Sequence, residues 1–276
     1  MAWHAGLRLD YALEGGRTVA RFAHDGPLRI LQSLYPEGDA TCHNVLVHPP
    51  GGLVGGDTLQ VRVHAAGGSH GLVTTPGASR FYRSEGESAL QDVHIVLDER
   101  ARLEWLPLEA LYYSGCRAEN RLVMEVAPGA ELLGWDIAAL GLPQAGQPFL
   151  KGEVLQHLEL RGHWLERGHL AAEDTALMDG PLGLAGHRCL ASLFLACGDE
   201  LGRARREALL DCAREHIARS ALAATAGATA PGPRVVVVRV LAPLVEPAIQ
   251  LLRAIRVAWR PLLWDVQGAE PRGWHV

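Results

Sequence analysis

Carboxylates set among apolar or glycine-rich neighbours are the residues of this sequence whose surroundings most need a chemical explanation. Asp57 follows Gly55-Gly56, Asp136 lies in LLGWDIAALG, and Glu166 follows Trp164-Leu165. Glu104 and Glu109 flank Trp105-Leu106-Pro107. A carboxylate drawn out of water must be paired, hydrogen-bonded or metal-bound. Two readings stay open: each caps a nearby turn by accepting backbone N–H groups, or they line a polar internal passage or anchor an interface. Arg80 and Arg83, in the polar cluster Ser79–Glu85, are candidate partners for Asp57 or Asp136, because a guanidinium suits a carboxylate bidentately.

The glycine-rich stretch PPGGLVGGD, Pro49 to Asp57, invites comparison with a phosphate cradle. Gly51-x-x-x-x-Gly56-Asp57-Thr58 has the Walker spacing, but Asp57 stands where the phosphate-binding lysine belongs, and a carboxylate there repels a triphosphate. The next segment, Leu59-Gln60-Val61-Arg62-Val63, reads as a strand and not as the helix whose N-terminus would hold the anion. A pair of glycine-rich turns fits better. His157, His163 and His169 recur at intervals of six, which on one strand would put them on one face. Gly162 and Gly168 interrupt that run and no HExxH occurs, so solvent-facing histidines stand beside the zinc or nickel reading. His43 and His48 carry the same two readings. No G-x-S-x-G elbow surrounds Ser79 or Ser84, and no glycine fingerprint opens a helix after a strand, which argues against a serine hydrolase and a dinucleotide enzyme.

The elements that must position these groups are mostly strands. Asn44–His48 and Thr58–His64 bracket the glycine-rich turn. Leu7–Ala12 and Thr18–His24 form a hairpin about Gly15-Gly16, and Pro27–Leu34 follows. Gly71–Thr75, Leu90–Leu97, Arg102–Leu106, Leu122–Val126, Glu131–Ile137, Glu153–Leu160 and Trp164–Glu166 continue the pattern, with no helical period up to about Leu195. The character then changes. Asp199 is the expected cap of a helix through about Ala224, and Gly227 to Pro233 reads as a loop. Arg234–Leu241 is a strand covered on both faces, and Glu246–Trp259 a second helix with Pro247 near its start. The expectation is one unit over 1–276. It is mainly β, with elongated stacked sheets in a helicoid or sandwich-like arrangement, β-rich over about 1–198. Two helices near the C-terminus lie in a helix–strand–helix segment over about 199–264, packed on the sheets.

The 276 residues carry a net charge of −5, with 48% hydrophobic and 21% charged residues. That is an ordinary globular composition, and no basic stripe interleaved with aromatics points to nucleic acid. The N-terminal stretch lacks the apolar core of a signal peptide and no run is long enough to span a membrane, so a cytoplasmic location is expected. The five cysteines are odd in number, widely spaced and without a CxxC, as expected of free thiols in a reducing compartment.

Four motifs in order carry a resemblance. HPPGGLVGGD, TTPGASRFYRSEG (Thr74–Gly86), LEWLPLEALYYSGCRAENR (Leu103–Arg121) and GWDIAALGLP (Gly134–Pro143) resemble the urease accessory proteins of the UreD (UreH) family, as does the closing PRGWHV. The resemblance runs from about Leu7 to the C-terminus. It implies a β-rich helicoid fold with two helices and a non-catalytic maturation factor, not an enzyme. Such a factor joins the UreF and UreG accessory proteins, the latter a GTPase, docks them on apo-urease and assists nickel insertion. With it come three further expectations. No cofactor is tightly bound, though nickel passes transiently. Asp57, Asp136 and Glu166, with Arg80 nearby, line a nickel route, where oxygen ligands hold Ni²⁺ weakly. Trp259 and Trp264 are candidate anchors for a partner, with a place in the core as the equal alternative. The alternative, read from the residues alone, is a metal-dependent hydrolase using scattered His and Asp ligands.

The aspartate in the lysine position of the glycine loop generates one prediction. Calorimetric titration of the purified chain with GTP or ATP should show no saturable binding in the micromolar range; saturable heat there would restore the phosphate-cradle reading.

Overall fold

In the computed structural model, which describes residues 2–267 and 269–274, β1 (His4–Glu14) and β2 (Arg17–Asp25) form the expected hairpin. Next come β3 (Arg29–Leu34), β4 (Cys42–Val47), β5 (Thr58–Ala65), β6 (His70–Thr74), the short β7 (Ser79–Phe81), β8 (Ala89–Leu97) and β9 (Arg102–Leu106). The short β10 (Ala110–Tyr112), β11 (Cys116–Val126), β12 (Glu131–Leu142), the two-residue β13 (Gln147–Pro148), β14 (Gly152–Leu160) and β15 (Trp164–Ala171) follow. The C-terminal third holds α1 (Thr175–Asp179), β16 (Cys189–Cys197), α2 (Arg203–Arg219), β17 (Ala226–Gly232), β18 (Val235–Ala242) and α3 (Val245–Trp264).

The strands make two stacked sheets. The first runs β15-β14-β11-β8-β5-β1-β2, the second β17-β18-β16-β12-β9-β6-β4-β3. From β4 onward the chain crosses from one sheet to the other at nearly every strand, so β5, β8, β11 and β14 pair in parallel in one layer and β4, β6, β9 and β12 in the other. This is a two-layer solenoid. Its coils are unequal: Thr58 pairs with Leu90, 32 residues on; Leu90 with Glu119, 29 on; Glu119 with Leu155, 36 on. That is why no repeat period shows in the sequence.

Alternation decides which face each strand buries. Leu9, Val63, Ile95 and Met124 of the first sheet meet Leu132, Phe194, Val235 and Val237 of the second between the layers. The other face of the second sheet, with Leu133, Trp135, Leu193, Leu195, Val236 and Val238, is covered by α2 and α3 through Leu209, Ala213, Ile217, Leu252, Ile255 and Trp259. Covered on both faces, β16 and β18 are apolar almost without interruption. Among the described residues no helix is long and apolar enough to cross a membrane.

Four expectations need correction. Asp199 does not cap α2: its carboxylate accepts from the Gly129 N–H at 2.7 Å, and the helix starts after Gly202, which offers no capping side chain. The stretch expected as a loop, Gly227 to Pro233, contains most of β17, paired to β18 with a register shift between Thr229 and Gly232. Its small residues and Pro231 are weak strand formers, but an edge strand tolerates them and the valine-rich neighbour supplies the pairing. β16, unassigned from sequence, lies between β12 and β18 in the second sheet. Finally, Trp259 and Trp264 are core residues, 0% and 6% exposed. Trp259 Nε1 donates to the Leu209 carbonyl at 3.0 Å and Trp264 Nε1 to Glu131 Oε2 at 2.7 Å, so neither is available as a surface anchor.

α3 is fastened by charge as well as by apolar contact. Arg256, Arg260 and Glu104 are fully buried. Arg256 Nε donates to Glu104 Oε2 at 2.8 Å, with Nη2 also close at 2.6 Å, and Arg260 Nε is 3.2 Å from Glu104 Oε1. Arg260 Nη1 then donates to Glu37 Oε2 at 2.6 Å, and Glu37 Oε1 lies 2.7 Å from His43 Nε2. Arg256 and Arg260 also donate to the carbonyls of Ala269 and Gln267, pinning the segment after α3. Trp274 ends that segment against Trp135, with Nε1 donating to Thr74 Oγ1 at 2.9 Å. Burial alone would raise the Glu104 carboxyl, but Arg256, His70 and Arg260 outweigh it and hold it well below the usual carboxylate range.

Removing the Glu104 charge leaves two buried guanidinium groups short of a counter-ion, so Glu104→Gln should cost about 3–5 kcal/mol in denaturant unfolding at pH 7. Glu153→Gln, in an exposed pair with Arg117, should cost under about 1 kcal/mol. Because the folded Glu104 carboxyl sits below its unfolded value of about 4.3, its contribution is complete above that value and is lost as the pH falls below it. The gap between wild type and Glu104→Gln should therefore shrink below about pH 4.

Candidate functional site

The interior between the sheets is not uniformly apolar. β8 points Ala89, Gln91, Val93 and Ile95 inward, β11 points Ala118, Asn120, Leu122 and Met124, and β14 points Val154, Gln156, Leu158 and Leu160. In each strand one inward position is an amide. Solenoid pairing puts the three side by side: Gln91 opposite Asn120, and Asn120 opposite Gln156. The facing rung of the second sheet is Asp136, Ser192 and Arg239, also paired in register. Two polar rungs thus face each other across the layers.

They are joined by hydrogen bonds. Gln91 Nε2 donates to Asn120 Oδ1 at 3.1 Å, and Asn120 Nδ2 donates to Asp136 Oδ1 at 2.8 Å. Gln156 Nε2 donates to Asp136 Oδ2. Glu166, inward on β15, grips Arg239 through Nε at 3.1 and 3.2 Å and through Nη2. Tyr112, at the end of β10, is 1% exposed, and its hydroxyl lies beside Asp136 and Asn120 without an aligned hydrogen-bond partner. Burial pushes Asp136 up to about 6 although both amides favour its charged form, and the nearby Glu166 carboxylate adds to the rise.

The band opens at one end into a pocket of about 270 Å³. Gln91 stands in it with His48, Gly51, Thr75, Ser79, Arg80 and Trp105. The walls come from HPPGG and TTPGASR, which explains their wording. Leu53 bridges to Phe81, and a Cβ at Gly52 would lie 2.3 Å from the Tyr82 ring, so the two loops close together only with glycine there. Burial lowers the His48 imidazole, with Asp57 opposing the shift. At the other end the Glu166 and Arg239 side chains are 27% and 41% exposed. Three strand spacings, from β8 to β15, separate the ends, roughly 15 Å.

Of the expected route residues, the structure therefore brings Asp136 and Glu166 to one band and Arg80 to its mouth. Asp57 stands apart. It is 4% exposed and its oxygens accept from the backbone N–H of Trp3 at 2.8 Å and of Val54 at 2.9 Å, which closes the glycine turn. Arg80 pairs with neither Asp57 nor Asp136, whose oxygens these donors and the amides already occupy, and Arg83 contacts Glu85 on the surface. The histidines of the hydrolase reading are scattered: His157 bonds Glu159, His169 bonds Glu153 and His163 lies in the turn before β15. Among the described residues no three His, Cys, Asp or Glu side chains are grouped to hold a metal ion. Four of the five cysteines are buried and all are free; burial pushes Cys116, Cys189 and Cys197 up to about 12.

Gln91, Asn120, Gln156, Ser192, Arg239 and Tyr112 escaped the sequence reading. A signal existed for the amides and for Arg239: each is the polar exception in an otherwise apolar phase, as in VVVVRVL.

The family model of the UreD urease accessory protein matches residues 4–275. A urease accessory protein UreD of Variovorax paradoxus (strain S110) is 65% identical over 274 residues, covering 99% of each chain. Those of Paracidovorax citrulli (strain AAC00-1) and Polaromonas sp. (strain JS666 / ATCC BAA-500) are 65% and 62% identical over 276 residues, covering the whole of both chains. Matched from end to end by these relatives and by the family model, this chain belongs to the UreD family of urease accessory proteins.

Proposed function

We propose that the chain acts in the cytoplasm as a non-catalytic factor of urease maturation. It bridges apo-urease to the UreF and UreG accessory proteins and assists nickel insertion, with Ni²⁺ moving along the polar band between the sheets. The observation that carries this reading is the band itself. Apolar residues would fill the interlayer more cheaply, yet two rungs of amides and charges face each other there and reach an open pocket at one end. Carboxylate, amide and hydroxyl oxygens bind a divalent transition metal loosely, as transfer requires; thiolates or a His set would retain it. Four of the five cysteines are buried, Cys116, Cys189 and Cys197 among them with thiols pushed up to about 12, and the histidines are dispersed, so neither offers a retaining set along this path.

The test separates passage from folding. Asp136→Asn and Glu166→Gln should lower nickel loaded into urease by tenfold or more in a reconstitution with UreF and UreG, while pull-down of the complex is unchanged. Wild-type loading by both variants would refute the route.

Stability gives an independent check. The Asp136 carboxyl is raised in the fold, so its ionisation penalises the native state; the penalty is absent below the unfolded value of about 4 and complete above about 6. Asp136→Asn, with Gln156 turning its amide over, should therefore leave stability unchanged or raise it by up to about 3 kcal/mol at pH 7.5, and have little effect at pH 4. Asp57→Ala should instead lose thermal stability and activation together, as a turn cap does.

A further inference from the structure

The pocket at the open end of the band carries donors without acceptors. Arg80 is exposed at its rim with the guanidinium over Gly51, where a Cβ would lie 3.9 Å from Nη1. Among the described residues that guanidinium has no carboxylate partner and no side-chain hydrogen bond. Deeper in, Trp105 is 4% exposed and points between the sheets from β9. The indoles of Trp135, Trp259, Trp264 and Trp274 each donate to an acceptor within the fold. Trp105 Nε1 has none among the described residues; Trp164, the other buried indole without one, lies on β15 at the far end of the band. Trp105 Nε1 is not sealed in the core as the unpartnered Tyr112 hydroxyl is, so the side it keeps open is the pocket. A buried donor is normally satisfied, so an acceptor belongs there. Gln91 Nε2 gives one proton to Asn120 and has a second to give. No Asp or Glu is among the residues that line the cavity.

We propose that this pocket binds a carboxylate carried on a short aliphatic stem, held by the Arg80 guanidinium and the N–H groups of Trp105 and Gln91. One unpaired cation answers one negative charge. A phosphate dianion would leave charge uncompensated between the apolar walls of Leu46, Leu59, Val61 and Val93. Those walls take methylene groups instead, and the cavity of about 270 Å³ is too large for a bare inorganic monoanion to fill, a single water occupying about 30 Å³. A guanidinium with no other partner can close over the carboxylate from the rim and grip it bidentately. The same chemistry has two sources, a free short-chain acid or the glutamate side chain of a bound polypeptide. The assignment does not rest on the nickel route, since a carboxylate can be held whether or not the ion passes. Where both hold, the bound carboxylate neutralises a guanidinium that otherwise repels Ni²⁺ at the mouth.

The experiment is a titration of the full chain with sodium butyrate at constant ionic strength. It is followed on the Trp105 indole N–H in proton–nitrogen correlation spectra, with Trp105→Phe identifying the resonance. Butyrate should shift that resonance saturably. Its uncharged isostere butyramide, and butyrate with Arg80→Gln, should each bind about tenfold more weakly or worse, the worth of a hydrogen-bonded charge. Arg80→Lys, which keeps the charge and loses the fork, should fall between Arg80→Gln and wild type. A blocked alanyl-glutamyl-alanine peptide then separates the sources. Saturation at lower concentration than butyrate assigns the site to a polypeptide side chain, and weaker binding assigns it to a free acid; either keeps the carboxylate site. An indole resonance moved by neither ligand overturns it, and so does equal binding of butyramide or an unchanged affinity in Arg80→Gln. Arg80 is exposed, so its substitution should leave the fold intact; coincident thermal transitions of both Arg80 variants and wild type verify this. Normal nickel loading by Asp136→Asn and Glu166→Gln with butyrate still bound removes the route alone, and loss of butyrate binding with the route intact removes this site alone.

Discussion

A carboxylate with no access to water dictates how the outer layer of this protein sits. Glu104 is on β9, in the middle of the second sheet, and its charge is tolerable only with guanidinium groups against both oxygens. Arg256 and Arg260, one helical turn apart on α3, provide them. That requirement fixes the rotation of α3 about its own axis far more narrowly than Leu252 and Ile255 could, since apolar contacts tolerate sliding. The same two arginines reach the carbonyls of Gln267 and Ala269, so the segment after the helix is set by the same charges. With α3 held, the second sheet is clamped on its outer face, and the positions of Asp136 and Arg239 on its inner face follow.

The two polar clusters solve the same difficulty in different ways. Around Glu104, strong charges of opposite sign are paired, and the site is closed. Between the sheets, Asp136 is hydrogen-bonded only by neutral amides, which do not offset its burial, and burial pushes its carboxyl up to about 6. A carboxylate left half-compensated in this way is a poor structural device. Leu132, Ala138 and Leu140, which point inward on the same strand, show that an apolar residue suits this layer. The interlayer band therefore reads as a feature retained for what it can hold, whereas the Glu104 network reads as a fastening.

Much of this was legible in the sequence because alternation and turn chemistry are local. The strand after Asp57 was clear from its period of two, and the glycine turn from residues that only positive φ or close approach explains. What was not legible depends on pairing between distant coils. Ala226–Gly232 looks like a loop because its strand character comes from the neighbouring valines of β18. Asp199 resembles a helix cap, but Gly129, 70 residues earlier, takes its carboxylate. Trp259 and Trp264 are large and apolar at a helix end, which suits an anchor or a core equally; only the layer beneath them decides. Asp57 and Asp136 look alike in sequence, each beside glycine or apolar residues. The first is saturated by two backbone N–H groups and the second by side chains from two other coils, a difference that only register can reveal. The amide row was invisible for the same reason: its members are separated by unequal coils.

Each parallel run of strands in the solenoid ends in a strand that runs the other way. In the first sheet β2 reverses against β1 and β15 against β14; in the second, β3 reverses against β4 and β16 against β12. Stacked parallel coils have no natural stopping point, because the last one offers the next the same ladder it received. A reversed strand withdraws that template, and in the first sheet the charges of Arg17, Arg21 and Arg167 on the outer strands discourage another chain from supplying it. The number of coils is thereby counted by the chain itself. Since the polar band crosses the coils one by one, its length is counted too, and a homologue with an inserted coil would carry its two openings one strand spacing farther apart.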